Sequence, residues 1–378
     1  METKYNIVKQ AIKSKILDGT FMPHQKIGSE SEWMKEFGVS RHTVRLAIGD
    51  LVNQGWLYRE QGAGTFCADR STLTSESNGV NQKSIAIITT YISDYIFPSI
   101  IRGAEAYLSE QGYQVSIFST NNDQENEKRF LEKILSHQFD GVIVEPTKSA
   151  MSNPNISYYL NLERMNIPYI MINAYYDELE PISLFVDDEK GGYLQAEHLI
   201  KLGHTNIAGF FKTDDIQGQK RMKGYLKAHR AHQVPINPKN IVTYETEEKG
   251  TKPIEELKKL FASTKDHPTG LICYNDELAL MLVDILREKK IHVPDDISIV
   301  GYDDSFLAEI SEVKLTSIKH PKIQMGEDAA RTILNLISRR KEPGQKDLEE
   351  LNSIVYKPEL VLRNSTSQRR GEPTSLST

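Results

Sequence analysis

The sequence predicts an α+β winged helix-turn-helix domain at the N-terminus, followed by a two-lobed α/β domain. Three observations predict it. Residues 1–70 carry helical apolar periodicity and end in a Gly-punctuated pair of short strands; residues 71–83 are polar and aperiodic; from residue 84 to 364 short apolar runs alternate with helical stretches. A chain of 378 residues is too long for one core, since domains commonly run ~100–200 residues.

In the first segment, Ile7, Ile12, Ile16 and Leu17 recur at helical spacing up to the stop at Asp18-Gly19, which predicts a first helix. Ser29-Glu30-Ser31-Glu32 supplies capping residues for a second helix, with Trp33, Met34 and Phe37 as its apolar face and Gly38 as its end. Ser40 caps a third helix over Arg41–Leu51. There Val44, Leu46, Ala47, Ile48 and Leu51 are available to a core, while Arg41, His42 and Arg45 lie on or beside the opposite face. Gly55 to Cys67 then reads as two strands around the turn Gln61-Gly62-Ala63-Gly64, a wing. Helix, short Gly turn, helix is the arrangement that lays a second helix in the major groove of DNA. Arg is the donor suited to guanine O6 and N7, a nearby Thr43 suits phosphate, and Gln61 and Gly62 at the wing tip can approach the minor groove. The alternative is a trihelical segment used only for packing, with His42 a plain surface residue.

Charge agrees weakly with the first reading. Residues 1–70 hold ten Lys and Arg against eight Asp and Glu, whereas the remainder holds 36 against 44. No apolar run approaches the ~18 residues that span a bilayer, the first residues lack a signal-peptide core, and two cysteines cannot build a disulfide framework. A cytoplasmic protein with no membrane partner is expected.

In the larger segment the apolar runs are 84–89, 114–119, 141–145, 169–173, 183–187, 207–211, 270–274 and 298–302. Their alternation with helices implies parallel sheets in two lobes. The chain is expected to cross between lobes near residues 146–155 and again near 317–321, and the polar tail 365–378 is expected to be disordered. Open α/β sheets bind ligands at the carboxyl ends of their strands. Glu145, Asn173, Asn275 and Asp303 stand there, and Tyr91, Tyr95 and Phe97 follow the first strand. Polar groups on one side and rings on the other suit a sugar. Asp188 and Asp276 read instead as helix caps. Nucleophile elbow, Walker loop, Cys/His metal spacing and GxGxxG are all missing, so no catalytic residue, cofactor or metal is expected. His204, His229, His232 and His320 are scattered along the sequence.

Ser29-Glu30, Phe37-Gly38-Val39-Ser40-Arg41-His42-Thr43-Val44-Arg45, Leu51, Gly55, Leu57 and Gly62-Ala63-Gly64-Thr65-Phe66 resemble the GntR-type winged helix. That resemblance implies DNA contact by Arg41, His42 or its neighbour, Arg45 and the wing tip. It also implies that Glu30 orients a basic partner and that Lys4 and Tyr5 meet phosphate. Residues 84–362 resemble the LacI/GalR effector domain, itself similar to periplasmic sugar-binding proteins. The text that carries this includes Phe97-Pro98-Ser99, His198-Leu199-Ile200-Lys201-Leu202-Gly203-His204, Tyr274-Asn275-Asp276-Glu277 and Ser298-Ile299-Val300-Gly301-Tyr302-Asp303-Asp304. By that resemblance Arg221, Asn275 and Asp303 bind an effector, with Asn173 and Glu145 as polar partners, and His320 is counted with them. The helix-turn-helix and hinge helix of that family are absent here, so its hinge mechanism is not implied.

The pairing of the two halves resembles the arabinose-responsive repressors of Gram-positive bacteria. It implies a repressor that binds double-stranded operator DNA and is released by a free sugar, L-arabinose. Palindromic operators further imply a homodimer. A repressor for another sugar or a sugar phosphate remains open, although a phosphate would want several cations and only Arg221 is evident. A sugar-processing enzyme is the third reading.

Overall fold

A computed structural model describes residues 3–70, 83–93, 95–137, 139–262, 267–341 and 351–369. The linker expected at 71–83 lies outside them apart from Lys83.

The N-terminal domain holds α1 (Lys4–Leu17), α2 (Glu30–Phe37), α3 (Arg41–Asn53), β1 (Leu57–Glu60) and β2 (Gly64–Cys67). The strands pair antiparallel with Leu57 opposite Cys67. Its core is Val8, Ile12, Ile16, Trp33, Val44, Ala47, Ile48, Leu51 and Leu57. Two expectations fail here. Ile7 is 42% exposed and Leu46 50% exposed. The buried stripe of α1 runs Val8, Ile12, Ile16, four residues apart, and Ile7 lies off it. In α3 the stripe is Val44, Ala47, Ile48, Leu51, which leaves Leu46 turned outward one turn after His42.

Among the described residues the larger domain has two six-stranded sheets. In the first lobe β3 (Ser84–Thr89), β4 (Gln114–Ser119), β5 (Gly141–Val144), β6 (Tyr169–Ile172) and β7 (Ser183–Val186) alternate with α4 (Phe97–Glu110), α5 (Gln124–Ser136) and α6 (Ile156–Arg164). The second lobe contains α7 (Asp188–Lys201), β8 (Ile207–Lys212), α8 (Ile216–Ala231), β9 (Ile241–Tyr244), α9 (Lys252–Leu260), β10 (Gly270–Cys273), α10 (Asp276–Glu288), β11 (Ser298–Asp303), α11 (Phe306–Ile310) and β12 (Thr316–Lys319). Then α12 (Lys322–Lys341) and β13 (Ile354–Tyr356) return to the first lobe, and β14 (Leu360–Val361) closes on the second. The sheet orders are β13-β7-β6-β5-β3-β4 and β14-β12-β11-β10-β8-β9, parallel except for β14 against β12. Apolar strands such as β5 and β10 are buried along their whole length, as parallel sheets covered on both faces require.

Among the described residues the chain therefore crosses between lobes three times. Residues 146–155, expected to cross, connect two strands of one sheet; the first crossing is at Val186–Asp188. The second, at His320–Pro321, falls within the expected stretch, and the third runs between Tyr356 and Leu360. Loops at strand carboxyl ends are polar whether they cross or turn back, so sequence did not separate them. The tail also differs from expectation over residues 365–369. Ser365 is fully buried, its hydroxyl donating to Ile299 O at 2.6 Å and accepting from Thr316 N at 2.8 Å. A serine that completes backbone hydrogen bonds looks like any polar tail residue in sequence. Among the described residues no helix is long and apolar enough to cross a membrane.

Candidate functional site

Two polar surfaces stand out, one on the N-terminal domain and one between the lobes. The first is set by helix capping. Ser29 accepts from Glu32 N at 3.3 Å while Glu32 accepts from Ser29 N at 2.6 Å, a reciprocal cap that starts α2. Gly38, at φ +59, ends it in the left-handed conformation. Ser40 then starts α3 by accepting from Thr43 N at 3.2 Å, and the Thr43 hydroxyl lies 2.9 Å from Ser40 Oγ. Glu30, at the head of α2, accepts both bonds from Arg45 Nε, at 3.0 and 3.1 Å, and sits 3.9 Å from Arg41 Nε. Exposed pairs of this kind contribute little stability, about 0–1 kcal/mol. What Glu30 does is aim two guanidinium groups, 60% and 64% exposed, from one face of α3. His42 is exposed on the same helix, and Gln61 and Gly62 (φ +78) form the exposed wing turn. Lys4 is exposed at the start of α1. The Tyr5 hydroxyl is held by Asp50, which also pairs with Lys9 at 3.0 Å, so Tyr5 ties α1 to α3.

The second surface is a cleft of about 170 Å³ lined by both lobes. Tyr91, Tyr95, Phe97, Glu145, Arg221, Asn275 and Asp303 line it, together with Asn122, Lys212, Asp215, Gln217, Tyr244, Thr246, Lys249, Tyr274 and Glu277. Arg221 on α8 is its most constrained member. Its Nε donates to Asp188 Oδ1 at 2.8 Å, its Nη1 to Tyr274 O at 2.6 Å, and its Nη2 is 3.7 Å from Asp303 Oδ1. The guanidinium lies 3.4 Å from the Tyr302 ring centre. Burial opposes its charge, but Asp188, Tyr302 and Asp303 outweigh that and hold its pKa well above the ordinary value. Burial raises the Asp303 carboxyl, against the pull of Arg221. Tyr95, at φ +61, bridges the lobes: its hydroxyl donates to Tyr302 O at 2.9 Å and accepts from Asp276 N at 3.0 Å.

Asn173 and His320 do not line the cleft. They stand behind Glu145 in a buried relay, where Asn173 Nδ2 donates to Glu145 Oε1 at 2.8 Å and His320 Nε2 donates to Asn173 Oδ1 at 3.0 Å. Thr90 bonds the other oxygen of Glu145 through its amide at 2.9 Å and its hydroxyl at 2.6 Å. Burial pushes the imidazole down to about 3, so His320 is neutral. The caps expected at Asp188 and Asp276 are each displaced by one residue. Asp187 caps α7 and Asn275 caps α10, accepting from Leu278 N at 2.9 Å. Asp188 is instead the partner of Arg221, and Asp276, pushed up to about 7 by burial, accepts from Ser317 Oγ and Ser305 N. A cap and its neighbour are indistinguishable in sequence when both are acidic or amide side chains.

Sequence reading missed Lys212 and Asp215, although Lys212 ends β8 as Glu145 follows β5; the same strand-end rule finds it. The cleft's cations are already paired. Lys212 contacts Asp215 and lies 3.4 Å from Asp214, Lys249 is 2.6 Å from Glu277, and Arg221 holds Asp188. A phosphate would find no cation here without an acidic partner; a neutral polyol needs none. Among the described residues no group of His, Cys, Asp or Glu is arranged to hold a metal ion.

Comparison with known proteins agrees with both halves. Residues 4–67 match the model of bacterial regulatory proteins of the gntR family, and residues 196–366 match the periplasmic binding protein-like domain. An arabinose metabolism transcriptional repressor of Halalkalibacterium halodurans is 61% identical over 98% of this chain and 99% of that protein. Another, from Geobacillus stearothermophilus, is 48% identical over 97% and 98%. Among solved structures, a LacI family regulator of Enterococcus faecium with bound ribose has a TM-score of 0.64, 26% identity, and covers 76% of this chain and 100% of its own. The transcription regulator CcpA of Lactococcus lactis, with a TM-score of 0.65 and 23% identity over 76% of this chain and 100% of its own, shares the fold. A reader surface aimed by Glu30, a sensor cleft between two lobes and identity that runs through both mean that the chain belongs to the family of arabinose metabolism transcriptional repressors.

Proposed function

We propose that this chain binds palindromic operator DNA as a homodimer in the cytoplasm, and that free L-arabinose in the interlobe cleft releases it. The observation that carries the sugar reading is the pairing inside the cleft: Lys212, Arg221 and Lys249 each already hold an acid, and the rings of Tyr91, Phe97, Tyr244 and Tyr274 line it. A pentose supplies hydroxyls for Glu145, Arg221, Asn275 and Asp303 and C–H faces for the rings. Arg41, His42, Arg45 and Lys4 take the DNA backbone and base edges, with Gln61 and Gly62 entering from the wing. Dimer formation draws support from α11, where Phe306 is 70% exposed and Ile310 and Leu307 lie exposed beside it.

Because the cleft groups come from both lobes, a ligand that bridges them favours the closed arrangement and shifts the equilibrium by that difference in affinity. The test is calorimetry of L-arabinose, D-ribose, D-glucose and a pentose phosphate against the full chain, followed by L-arabinose titrated into the operator complex. Binding of L-arabinose above the others, with operator released, is the expected result. An operator complex unchanged at saturating L-arabinose overturns it.

A further inference from the structure

The last turn of α1 is seated on the first lobe. Asn161 of α6, 4% exposed, donates from Nδ2 to Leu17 O at 2.6 Å and Ile16 O at 3.4 Å. Leu17 O is a helix-end carbonyl with no partner inside its own helix, while Ile16 O also accepts from Gly19 N at 3.3 Å. Ser14 Oγ donates to Glu132 Oε1 on α5 at 2.9 Å, and Tyr158 OH on α6 donates to the same oxygen at 3.0 Å. Arg164 Nη1 reaches Met22 Sδ at 3.3 Å. Ile16 and Leu17 are buried at this seam with the large domain's Tyr158, Tyr159 and Leu162 in one apolar cluster. Arg70, the last described residue before the linker, stacks 3.6 Å from the Trp56 ring centre, so the linker leaves from a fixed point.

We propose that the α5/α6 face of the first lobe is a docking surface for the chain's own winged helix, so that reader and first lobe move as one arm. A buried amide that completes the helix-end carbonyl of Leu17 is specific, because leaving such a group buried and unpaired costs more than exposing it. The seam uses the end of α1 away from Lys4 and leaves Arg41 and Arg45 exposed, so a docked reader keeps its DNA face free. Among the described residues, the hydrogen bonds across the seam all go to the first lobe. Motion of that lobe relative to the second therefore carries the winged helix with it, and the polar linker is not the only connection between the halves.

This inference rests on the proposed function only for the use made of the motion; the docking itself is tested without DNA or sugar. Spin labels are placed on cysteines introduced at Asn53 and Arg129, both exposed, in the full chain diluted with unlabelled chain; the native Cys67 and Cys273 are buried. Pulsed electron spin resonance is expected to read one narrow distance, unchanged by L-arabinose. Asn161→Glu, which sets a carboxylate against the α1 carbonyls, is expected to broaden it, with L-arabinose affinity held within about twofold because the cleft is distant. A broad distribution in the chain with native Asn161 overturns the docking, and so does a narrow one that survives both Asn161→Glu and Ser14→Ala. A narrow distance with no release of operator by L-arabinose leaves the docking standing and sinks the sugar reading instead.

Discussion

Arg45 and Glu30 show how one carboxylate can matter without stabilising the fold. Their exposed pair adds little to folding, yet it presents the Arg45 guanidinium outward from α3. Arg45→Ala is expected to lower operator affinity by ~1–3 kcal/mol, with sugar binding unchanged; a gel-shift titration beside calorimetry reads both. His320 behaves in the opposite way, buried and neutral. Its folded pKa, about 3, lies below its ordinary 6.5, so the folded state binds fewer protons than the unfolded state between those values. The stability His320 contributes is therefore present above pH 6.5 and is lost as the pH falls toward 3. Urea unfolding at pH 7, 6 and 5 is expected to show a steeper loss for the native chain than for His320→Gln, and parallel curves would refute it. Asn275, Asp303 and Glu145 were legible in the sequence because strand ends collect ligand groups, whereas Arg221, inside α8, was indicated by the family resemblance alone. The relay role of Asn173 and His320 was not legible, since a side chain behind a carboxylate and one beside it share the same sequence position relative to the strand.

At the level of elements, both lobes use the same device. Gly103 on α4 and Gly326 on α12 let those helices touch: a Cβ on Gly103 would lie 2.3 Å from Ile323 O, and one on Gly326 2.1 Å from Ile100 O. In the second lobe Gly192 on α7 and Gly224 on α8 do the same, with Arg221 O at 2.1 Å and Glu189 O at 2.0 Å. Backbone cannot retreat as a side-chain tip can, so α8 sits where these glycines allow, and with it Arg221. Gly224→Ala is expected to destabilise the chain by ~1–3 kcal/mol and to weaken sugar binding as α8 is displaced. Thermal unfolding and calorimetry check it, and full sugar affinity in a destabilised variant would separate packing from the site. Sequence showed these helices by their periodicity; it did not show which pairs meet. The edge strands β9, β13 and β14, and β12 between β14 and β11, also escaped it, because they are short and only partly apolar.

For the whole molecule, coupling between cleft and DNA must be reciprocal. If L-arabinose lowers operator affinity tenfold, operator must lower L-arabinose affinity tenfold, about 1.4 kcal/mol. Calorimetry of L-arabinose with and without bound operator is expected to give that equality; an unequal pair would mean a second ligand or a change in assembly. Three crossings link the lobes, and Tyr95 latches one to the other through Tyr302 O and Asp276 N. Ligand-driven closure therefore has to act on a joint already tied at several points.

The sequence by itself determined the two fold classes, the reader helix with its caps, and the strand-end polar residues of the cleft. Each follows from local rules: capping chemistry, apolar period, and polar groups at the carboxyl ends of buried strands. The tertiary structure alone decided which residue of an acidic pair caps and which binds Arg221, where the chain changes lobes, and that Ser365 belongs to the second lobe. It also seated α1 against Asn161. These depend on partners 33 to 145 residues apart in the chain, and no local period or propensity records which distant group will complete a buried hydrogen bond.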